Sequence, residues 1–321
     1  MDLKVKLLPD GKIHTAKVFF KMSDIFNHPL RNYKVYPAVR KVKDVPYVND
    51  NDSNHTMDFY YAPAKKDGKY PVLFNVHGGG FVCGDKKYRS GFASEMAMLG
   101  YFVVNINYSL APKAVFPTVV RESVIALNEV NNLADKYDLD LDKIVITGDS
   151  AGGYYAAELV ASMYNKDVAK ILELPEYVGK LPRALLTFCA PFDVLKCFNK
   201  TTPFNIALDV TNCVFGTDLV TPANRDAFPY HDSVLNVIKN INKNWCECFI
   251  VVAEKDSFCG GQFEKIVTAL SENKVKYGFF IAREKGDGHC THLLPFKKGT
   301  PLIMQAVAEF LITIKEEKNA K

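Results

Sequence analysis

The amino-acid sequence predicts an α/β fold in which helices cover a mostly parallel β-sheet. Short apolar runs alternate with longer amphipathic segments through the middle and end of the chain, as strands joined by helical crossovers do. Two glycine-rich motifs also follow predicted strands directly, HGGG at 77–80 and GDSAGG at 148–153. The chain has 321 residues, of which 48% are hydrophobic. These values predict a single domain over residues 1–321 with a sizeable buried core.

Eight strands are predicted in chain order. Two edge strands, at 41–48 and 57–62, precede the core of the sheet. The core strands are short runs rich in Val, Ile, Leu or Phe, mostly flanked by Gly, Pro, Asn or Asp. They are predicted at 71–76, 102–107, 143–147, 183–190, 248–253 and 278–282.

Helices are predicted where apolar residues recur mainly at three- and four-residue steps. One covers 119–133 and ends near Asp138. A second, at 154–163, follows the GDSAGG motif, so its N-terminus points at Ser150. The last covers 301–314 and starts with Pro301, a residue favoured in the first helical turn.

Two segments do not fit the alternation. Residues 1–40 contain a predicted turn at 9–11 and a mixed pattern, and residues 194–230 show few clear periods. Long irregular segments inside a compact domain are usually functional. Both are therefore predicted to form a cap over the carboxyl ends of the strands.

Composition and charge exclude several classes of function. Lys and Arg number 40 against 36 Asp and Glu, a net charge of +4, and no basic stripe predicts nucleic-acid binding. The first residues alternate charged and apolar side chains, unlike a secretory signal, and no run approaches the length of a membrane-spanning helix. Eight scattered cysteines favour reduced thiols and a cytoplasmic location. The close pair Cys246 and Cys248 lacks a second ligand pair, so no metal site is predicted.

The two glycine-rich motifs predict a nucleophilic serine. GDSAGG contains the G-x-S-x-G pattern, which places Ser150 on a sharp strand-to-helix turn with its hydroxyl clear of the backbone. A turn that tight has no room for a Cβ atom on either side of the serine, hence Gly148 and Gly152. The earlier HGGG loop can turn backbone N–H groups toward one oxygen, because glycine is free in φ.

A third motif supports a resemblance to a known family. YSLAP at 108–112, with Phe116 and Pro117 shortly after, joins HGGGF and GDSAGG. Over roughly residues 70–310 the chain resembles the hormone-sensitive-lipase-like group of α/β-hydrolases. The resemblance implies an α/β-hydrolase fold with an eight-stranded sheet, and a cap built from the N-terminus and an insertion after the sixth strand. It also implies hydrolysis of a small-molecule carboxylic ester without cofactor or metal, and often a homodimer.

The family order of catalytic residues is serine, acid, then histidine. The resemblance implies an acid just past the seventh strand, where Asp256 stands, although Ser257 and Phe258 replace the proline and leucine of the family. Asp193, after the sixth strand, remains an alternative.

The histidine has two candidates, because only His289 and His292 follow the last predicted strand. The family carries histidine-glycine-phenylalanine here, whereas this chain has GDGHCTH at 286–292. A glycine three residues before the histidine is common in the family, which favours His289 with Gly286 and leaves His292 open. His77 belongs to the HGGG loop, where the family uses it structurally.

The resemblance implies that His289 acts as general base for Ser150 and that Asp256 orients the imidazole. The oxyanion donors it implies are the backbone N–H groups of Gly79, Gly80 and Ala151. The first hypothesis is a serine hydrolase that cleaves esters of short or medium acyl chains through an acyl-enzyme. Hydrolysis of amides such as arylformamides is the second. A non-catalytic small-molecule-binding protein is the third, because receptors resembling this family bind ligands after losing the histidine.

Overall fold

Eight β-strands form one mixed sheet. The structure, a computed structural model, describes residues 14–63, 68–198, 206–219, 221–230 and 232–316. The strands are β1 Arg40–Pro46, β2 Thr56–Tyr61, β3 Tyr70–Val76, β4 Phe102–Ile106, β5 Leu139–Asp149, β6 Ala184–Phe188, β7 Glu247–Ala253 and β8 Tyr277–Ala282. Their spatial order is β1-β2-β4-β3-β5-β6-β7-β8. The pairs β1–β2 and β2–β4 are antiparallel and all others are parallel, which confirms the predicted fold class.

Helices connect the strands and cover both faces of the sheet. The α-helices are α1 Thr15–Arg31, α2 Ser90–Met98, α3 Thr118–Asn132, α4 Ala134–Tyr137, α5 Ala151–Tyr164, α6 Lys166–Ile171, α7 Val194–Phe198, α8 Ile206–Phe215, α9 Pro222–Asp226, α10 Asp232–Leu235, α11 Phe263–Glu272 and α12 Gly299–Glu316. Short 3₁₀ turns lie at Ser53–His55, Lys86–Arg89, Val237–Asn240 and Thr291–Leu293. In the described parts of the chain, every helix is too short or too polar to cross a bilayer.

The central strands are buried on both faces. Apolar side chains of α3, α5 and α11 pack in the core on one face, and those of α2 and α12 in the core on the other. Every residue of β4 and β6 is buried, and so is all of β3 after Tyr70. Strands of a sheet that is covered on both faces are apolar at nearly every position, and this is why these strands could be located from sequence.

Element ends differ from the predictions where the backbone takes a left-handed conformation. Asp138 has φ 53° after α4, so the chain turns there and β5 begins at Leu139, four residues before the predicted start. Cys189 has φ 51° and ends β6 at Phe188, two residues early. The helix α5 begins directly after Ser150, and α12 begins two residues before Pro301.

The N-terminal segment contains a helix that the sequence did not predict. The turn predicted at 9–11 lies outside the described residues, but α1 follows and contacts α8. The backbone N–H of Ala16 donates to Asp209 at 2.9 Å, which ties the two helices together. Apolar residues such as Phe19 and Phe26 are exposed on α1, whereas the charged residue Asp24 is buried. The helix therefore lacks the usual separation into a buried apolar face and an exposed polar face.

The second irregular segment is also helical in part. Within 194–230 the structure places α7, α8 and α9, while residues 199–205 and 220 lie outside the described parts of the chain. Because α1 packs on α8, the two segments that the sequence left unassigned contact each other.

Candidate active site

Ser150 stands on the turn between β5 and α5. Its backbone has φ 52° and ψ −123°, a conformation that residues with a side chain rarely adopt. Its N–H donates to the carbonyl of Phe188 at 2.8 Å, which anchors the turn to β6. A Cβ atom at Gly152 would lie 2.1 Å from the carbonyl oxygen of Val76, so the turn can approach β3 only with glycine there. The strained turn holds the serine hydroxyl away from the helix.

His289 lies between Ser150 and Asp256. Its Nε2 is 2.8 Å from Ser150 Oγ, and its Nδ1 is 3.0 and 2.9 Å from Asp256 Oδ1 and Oδ2. Because Nδ1 faces a carboxylate, its proton is held there, and Nε2 is directed at the serine hydroxyl. The three side chains form one continuous hydrogen-bonded relay.

The loop after β7 fixes the carboxylate of Asp256. Oδ1 accepts the backbone N–H groups of Phe258 at 2.8 Å and Cys259 at 2.9 Å, and the side chain is only 3% exposed. Burial alone would raise the pKa of Asp256, but the hydrogen bond and charge of His289 and these two N–H groups lower it overall. Asp256 is therefore ionised in its buried position.

The environment of His289 favours its protonated form. Burial acts to lower its pKa, but the hydrogen bonds and negative charges of Asp256 and Cys189 outweigh it and raise the pKa to about 10. An imidazolium that forms during a reaction would thus be strongly stabilised in this site.

The two alternative residues lie outside this relay. Asp193 caps α7, where Oδ1 accepts the N–H of Lys196 at 3.0 Å and Oδ2 accepts from Asn236 at 3.1 Å. His292 is buried with its ring stacked on Phe188 at a centroid distance of 3.8 Å. Burial and nearby cations lower its pKa to about 3, so it is a neutral packing residue.

The HGGG loop lies beside Ser150 and is shaped by two neighbours. Gly80 has φ 60°, and a Cβ atom on it would lie 2.3 Å from the ring of Phe20 in α1. His77 is buried and stacks on Tyr108, whose hydroxyl donates to the His77 carbonyl at 2.6 Å. Ala151 begins α5, so its N–H has no acceptor within the helix. The predicted donors Gly79, Gly80 and Ala151 are therefore at the two backbone segments that flank the serine.

A buried ion-pair network supports both segments, and sequence reasoning missed it. Arg89 Nε donates to Asp149 Oδ1 at 2.8 Å and its Nη2 to Oδ2 at 2.6 Å, directly before the serine. Asp149 Oδ1 also accepts the N–H of Gly78 at 3.2 Å. Asp24 of α1 lies 4.0 Å from Arg89 and accepts from Arg31 at 2.7 Å. Arg89 lies in a short polar stretch without periodicity, so no local signal identified it.

An apolar pocket of about 390 Å³ opens onto Ser150 and His289. Among the described residues that line it are five phenylalanines: Phe19, Phe20, Phe81, Phe198 and Phe258. Two come from α1 and one from α7, so the segments at 1–40 and 194–230 both contribute walls. Pockets of this size and polarity are typical of small-molecule sites.

The fold and this arrangement define an α/β-hydrolase. A serine on a strained strand-to-helix turn is followed in chain order by an aspartate and a histidine, and the histidine lies between the other two in space. A family model agrees. The chain belongs to the BD-FAE family, whose model matches residues 57–260. The expected likeness to esterases of the hormone-sensitive-lipase-like group is thereby confirmed.

Relatives and solved structures agree on the fold. LipM of Mycobacterium tuberculosis, named a probable carboxylic ester hydrolase, is 33% identical over 131 residues, which cover 40% of this chain and 30% of the relative. An acetyl esterase of Salmonella schwarzengrund is 34% identical over 97 residues, 30% of this chain and 29% of the relative. The chain thus spans about a third of the length of these curated relatives. The crystal structure of esterase B from Lactobacillus rhamnosis superposes with a TM-score of 0.77 at 19% identity, covering 94% of this chain and 96% of that chain.

Proposed function

We propose that the protein is a serine hydrolase that cleaves carboxylic esters through an acyl-enzyme. The observation that carries the proposal is the relay of Ser150, His289 and Asp256 at the mouth of an apolar pocket. A hydroxyl 2.8 Å from an imidazole nitrogen is in reach for proton transfer, and the buried carboxylate behind it holds the required tautomer.

The reaction follows from these positions. Ser150 Oγ attacks the ester carbonyl while its proton passes to His289 Nε2, and the tetrahedral intermediate places negative charge on the carbonyl oxygen. The N–H groups of Gly79, Gly80 and Ala151 are the proposed donors to that oxygen. His289 then gives its proton to the leaving alcohol. Water repeats the sequence on the acyl-enzyme and releases the acid.

The pocket supports esters of short or medium acyl chains. Its walls are aromatic and aliphatic, so an acyl chain can leave water and bind there without leaving polar groups of the protein unpaired. Phe20 packs against Gly80 and sets the width next to the proposed oxyanion donors. The segments 1–40 and 194–230 together form the proposed cap. An acetyl esterase and a carboxylic ester hydrolase among the sequence relatives support the same reaction class.

The test is hydrolysis of p-nitrophenyl esters from acetate to longer acyl chains by the wild type and Ser150→Ala. Activity on short or medium chains that disappears in the variant is the expected result, since the serine supplies the nucleophile. Equal activity in both proteins would show that another group reacts and would refute the proposal.

A second substrate panel separates the other hypotheses. Arylformamides measured beside the esters test amide hydrolysis, which the same relay could perform. Folded wild-type protein that cleaves neither panel would favour the non-catalytic binding function, although the intact relay argues against it.

Two further expectations stay predictions. The eight cysteines, all within the described residues, form no disulfide there, which supports a reducing, cytoplasmic location. A homodimer is tested by light scattering coupled to size-exclusion chromatography.

A further inference from the structure

Two thiols that the proposed relay does not use lie against its histidine. Cys189 directly follows β6, and Cys290 directly follows His289 in the chain. The two Sγ atoms and a ring nitrogen of His289 all lie within 4.8 Å of one another. The backbone N–H of Cys290 also donates to Cys189 Sγ at 3.4 Å. Two soft sulfur ligands and an imidazole therefore converge on one point.

The backbone holds these ligands in place. Cys189 and Cys290 have φ values of 51° and 54°, so each thiol leaves a tight left-handed bend. The N–H of Cys189 donates to the carbonyl of Val251 at 2.8 Å, and the carbonyl of Cys290 accepts from Leu293 at 3.0 Å. Both thiols are buried. A metal would meet a largely formed site and would not have to assemble it.

We propose that Cys189, Cys290 and His289 form an inhibitory site for a thiophilic divalent metal ion, of which Zn²⁺ fits best. Zn²⁺ takes sulfur and nitrogen ligands in tetrahedral geometry, at about 2.3 Å to sulfur and about 2.0–2.1 Å to nitrogen. Those bond lengths place the ligand atoms roughly 3.5–3.8 Å apart, so atoms already within 4.8 Å need only small movements. The fourth position is left to water.

Metal coordination would prevent His289 from acting as the base for Ser150, and this part rests on the proposed function. Both ring nitrogens of His289 are in use, one toward Ser150 and one toward Asp256. A metal on either nitrogen removes the lone pair that accepts the serine proton or breaks the bond that orients the ring. Each thiol releases its proton to solvent as its thiolate binds the metal.

The structure offers a route for the ion. A cavity of about 190 Å³ runs beside the loop after β7, from exposed Glu254 to buried Cys189. Glu264 and Asp256 also line it, and its cation Arg283 is paired with Glu254 at 3.2 Å. A cavity lined by carboxylates thus reaches Cys189.

A second ligand set shares the same histidine. Asp256, Cys259 and His289 also bring ligand atoms within 4.8 Å of one another. This set has one sulfur and needs the carboxylate that already holds two backbone N–H groups. The set with two thiols is therefore the better Zn²⁺ site, and the two can be told apart by variants.

The experiment measures Zn²⁺ binding in the Ser150→Ala protein by competition with a chromophoric chelator. It adds Cys189→Ala, Cys290→Ala, Cys259→Ala and, as the matched buried thiol away from the site, Cys248→Ala. We expect one Zn²⁺ per chain. Outer-shell partners alone are worth roughly 10–100-fold in metal affinity, so losing the ligand Cys290 should cost at least about 100-fold. Cys248→Ala and Cys259→Ala should bind as the parent does.

Co²⁺ in place of Zn²⁺ gives a direct signature of sulfur ligation, because a thiolate-to-cobalt charge-transfer band should appear in the near ultraviolet and vanish in Cys290→Ala.

In the wild type, Zn²⁺ should abolish ester hydrolysis and a chelator should restore it. Failure of Ser150→Ala to bind Zn²⁺, or binding lost in Cys259→Ala but kept in Cys290→Ala, would overturn the site. Binding at the proposed site without loss of activity would overturn its inhibitory role alone. The binding arm needs no turnover, so its result is independent of the proposed function.

Discussion

The variant Asp256→Asn gives a sharp test of the relay, because the structure predicts which way the introduced amide will point. Oδ1 of Asp256 accepts two backbone N–H groups, from Phe258 at 2.8 Å and Cys259 at 2.9 Å. The oxygen of the introduced amide must take that place, since an NH₂ group there would face two donors. The NH₂ group then takes the place of Oδ2, which is 2.9 Å from His289 Nδ1.

The consequence is a change of tautomer. Nδ1 of His289 has to accept a hydrogen bond from the amide, so the ring proton moves to Nε2 and faces Ser150 Oγ. An Nε2 that carries the proton cannot take another from the serine. Loss of the correct tautomer in such a triad lowers kcat by about 10⁴, which corresponds to about 5.4 kcal/mol of transition-state stabilisation.

The assay is steady-state hydrolysis of the best p-nitrophenyl ester. KM should change little, because Asp256 does not line the apolar pocket. Asp193→Asn is the matched control, since Asn also caps helices well and Asp193 lies outside the relay, at the start of α7. Retention of more than about a tenth of kcat in Asp256→Asn, or an equal loss in Asp193→Asn, would refute this reasoning.

Three other predictions follow from the same contacts. His292→Phe should keep its activity within roughly tenfold because the neutral ring stacks on Phe188, whereas His289→Phe should lose about 10⁴-fold or more in kcat; comparable losses in both would contradict the assignment. Arg89→Met should cost about 3–5 kcal/mol of unfolding free energy in urea at pH 7, because it leaves the buried Asp149 without its cation. Burial raises the pKa of the Asp149 carboxyl, but the charge and hydrogen bonds of Arg89 lower that pKa by more, so the carboxylate stabilises the fold above its unfolded pKa of about 3.9. The cost of Arg89→Met should therefore shrink in acid. Asp149→Asn is the control that removes the charge. His289 accepts a proton only when neutral, and its pKa is raised to about 10, so kcat/KM should rise with pH across the neutral range; a profile already flat below pH 7 would contradict that environment.

The fold could be predicted because its information is local. β3, β4 and β6 are apolar along their length because helices cover both faces of the sheet. The sharp turn between β5 and α5 that carries Ser150, the elbow, needs small residues at fixed positions. Each constraint restricts a short stretch of chain, even where the close neighbour is distant in sequence, as Val76 is for Gly152, so it leaves a pattern in the sequence itself. The ends of β5 and β6 were missed because single left-handed residues, Asp138 and Cys189, set them.

The rest depends on contacts between distant residues. The sequence left Asp256 and Asp193, and His289 and His292, as alternatives, because each pair follows the appropriate strand. What separates them is tertiary structure: Asp193 caps α7 and His292 is stacked on Phe188, whereas His289 contacts Ser150 and Asp256 contacts His289. Arg89 is a similar case, since its importance comes from its contacts with Asp149 and Asp24. Asp149 is 60 residues away from it in sequence.

The buried arginine has a consequence for anyone who wishes to change the specificity of this protein by exchanging its N-terminal segment for that of a relative. Arg89 lies between Asp149 of the elbow and Asp24 of α1, so the transplanted helix must bring its own carboxylate to the same depth. A donor segment with an apolar residue at that position would leave one guanidinium nitrogen in a dry interior without an anion. Grafts chosen only for the shape of their pocket walls should therefore lose stability together with any change in selectivity.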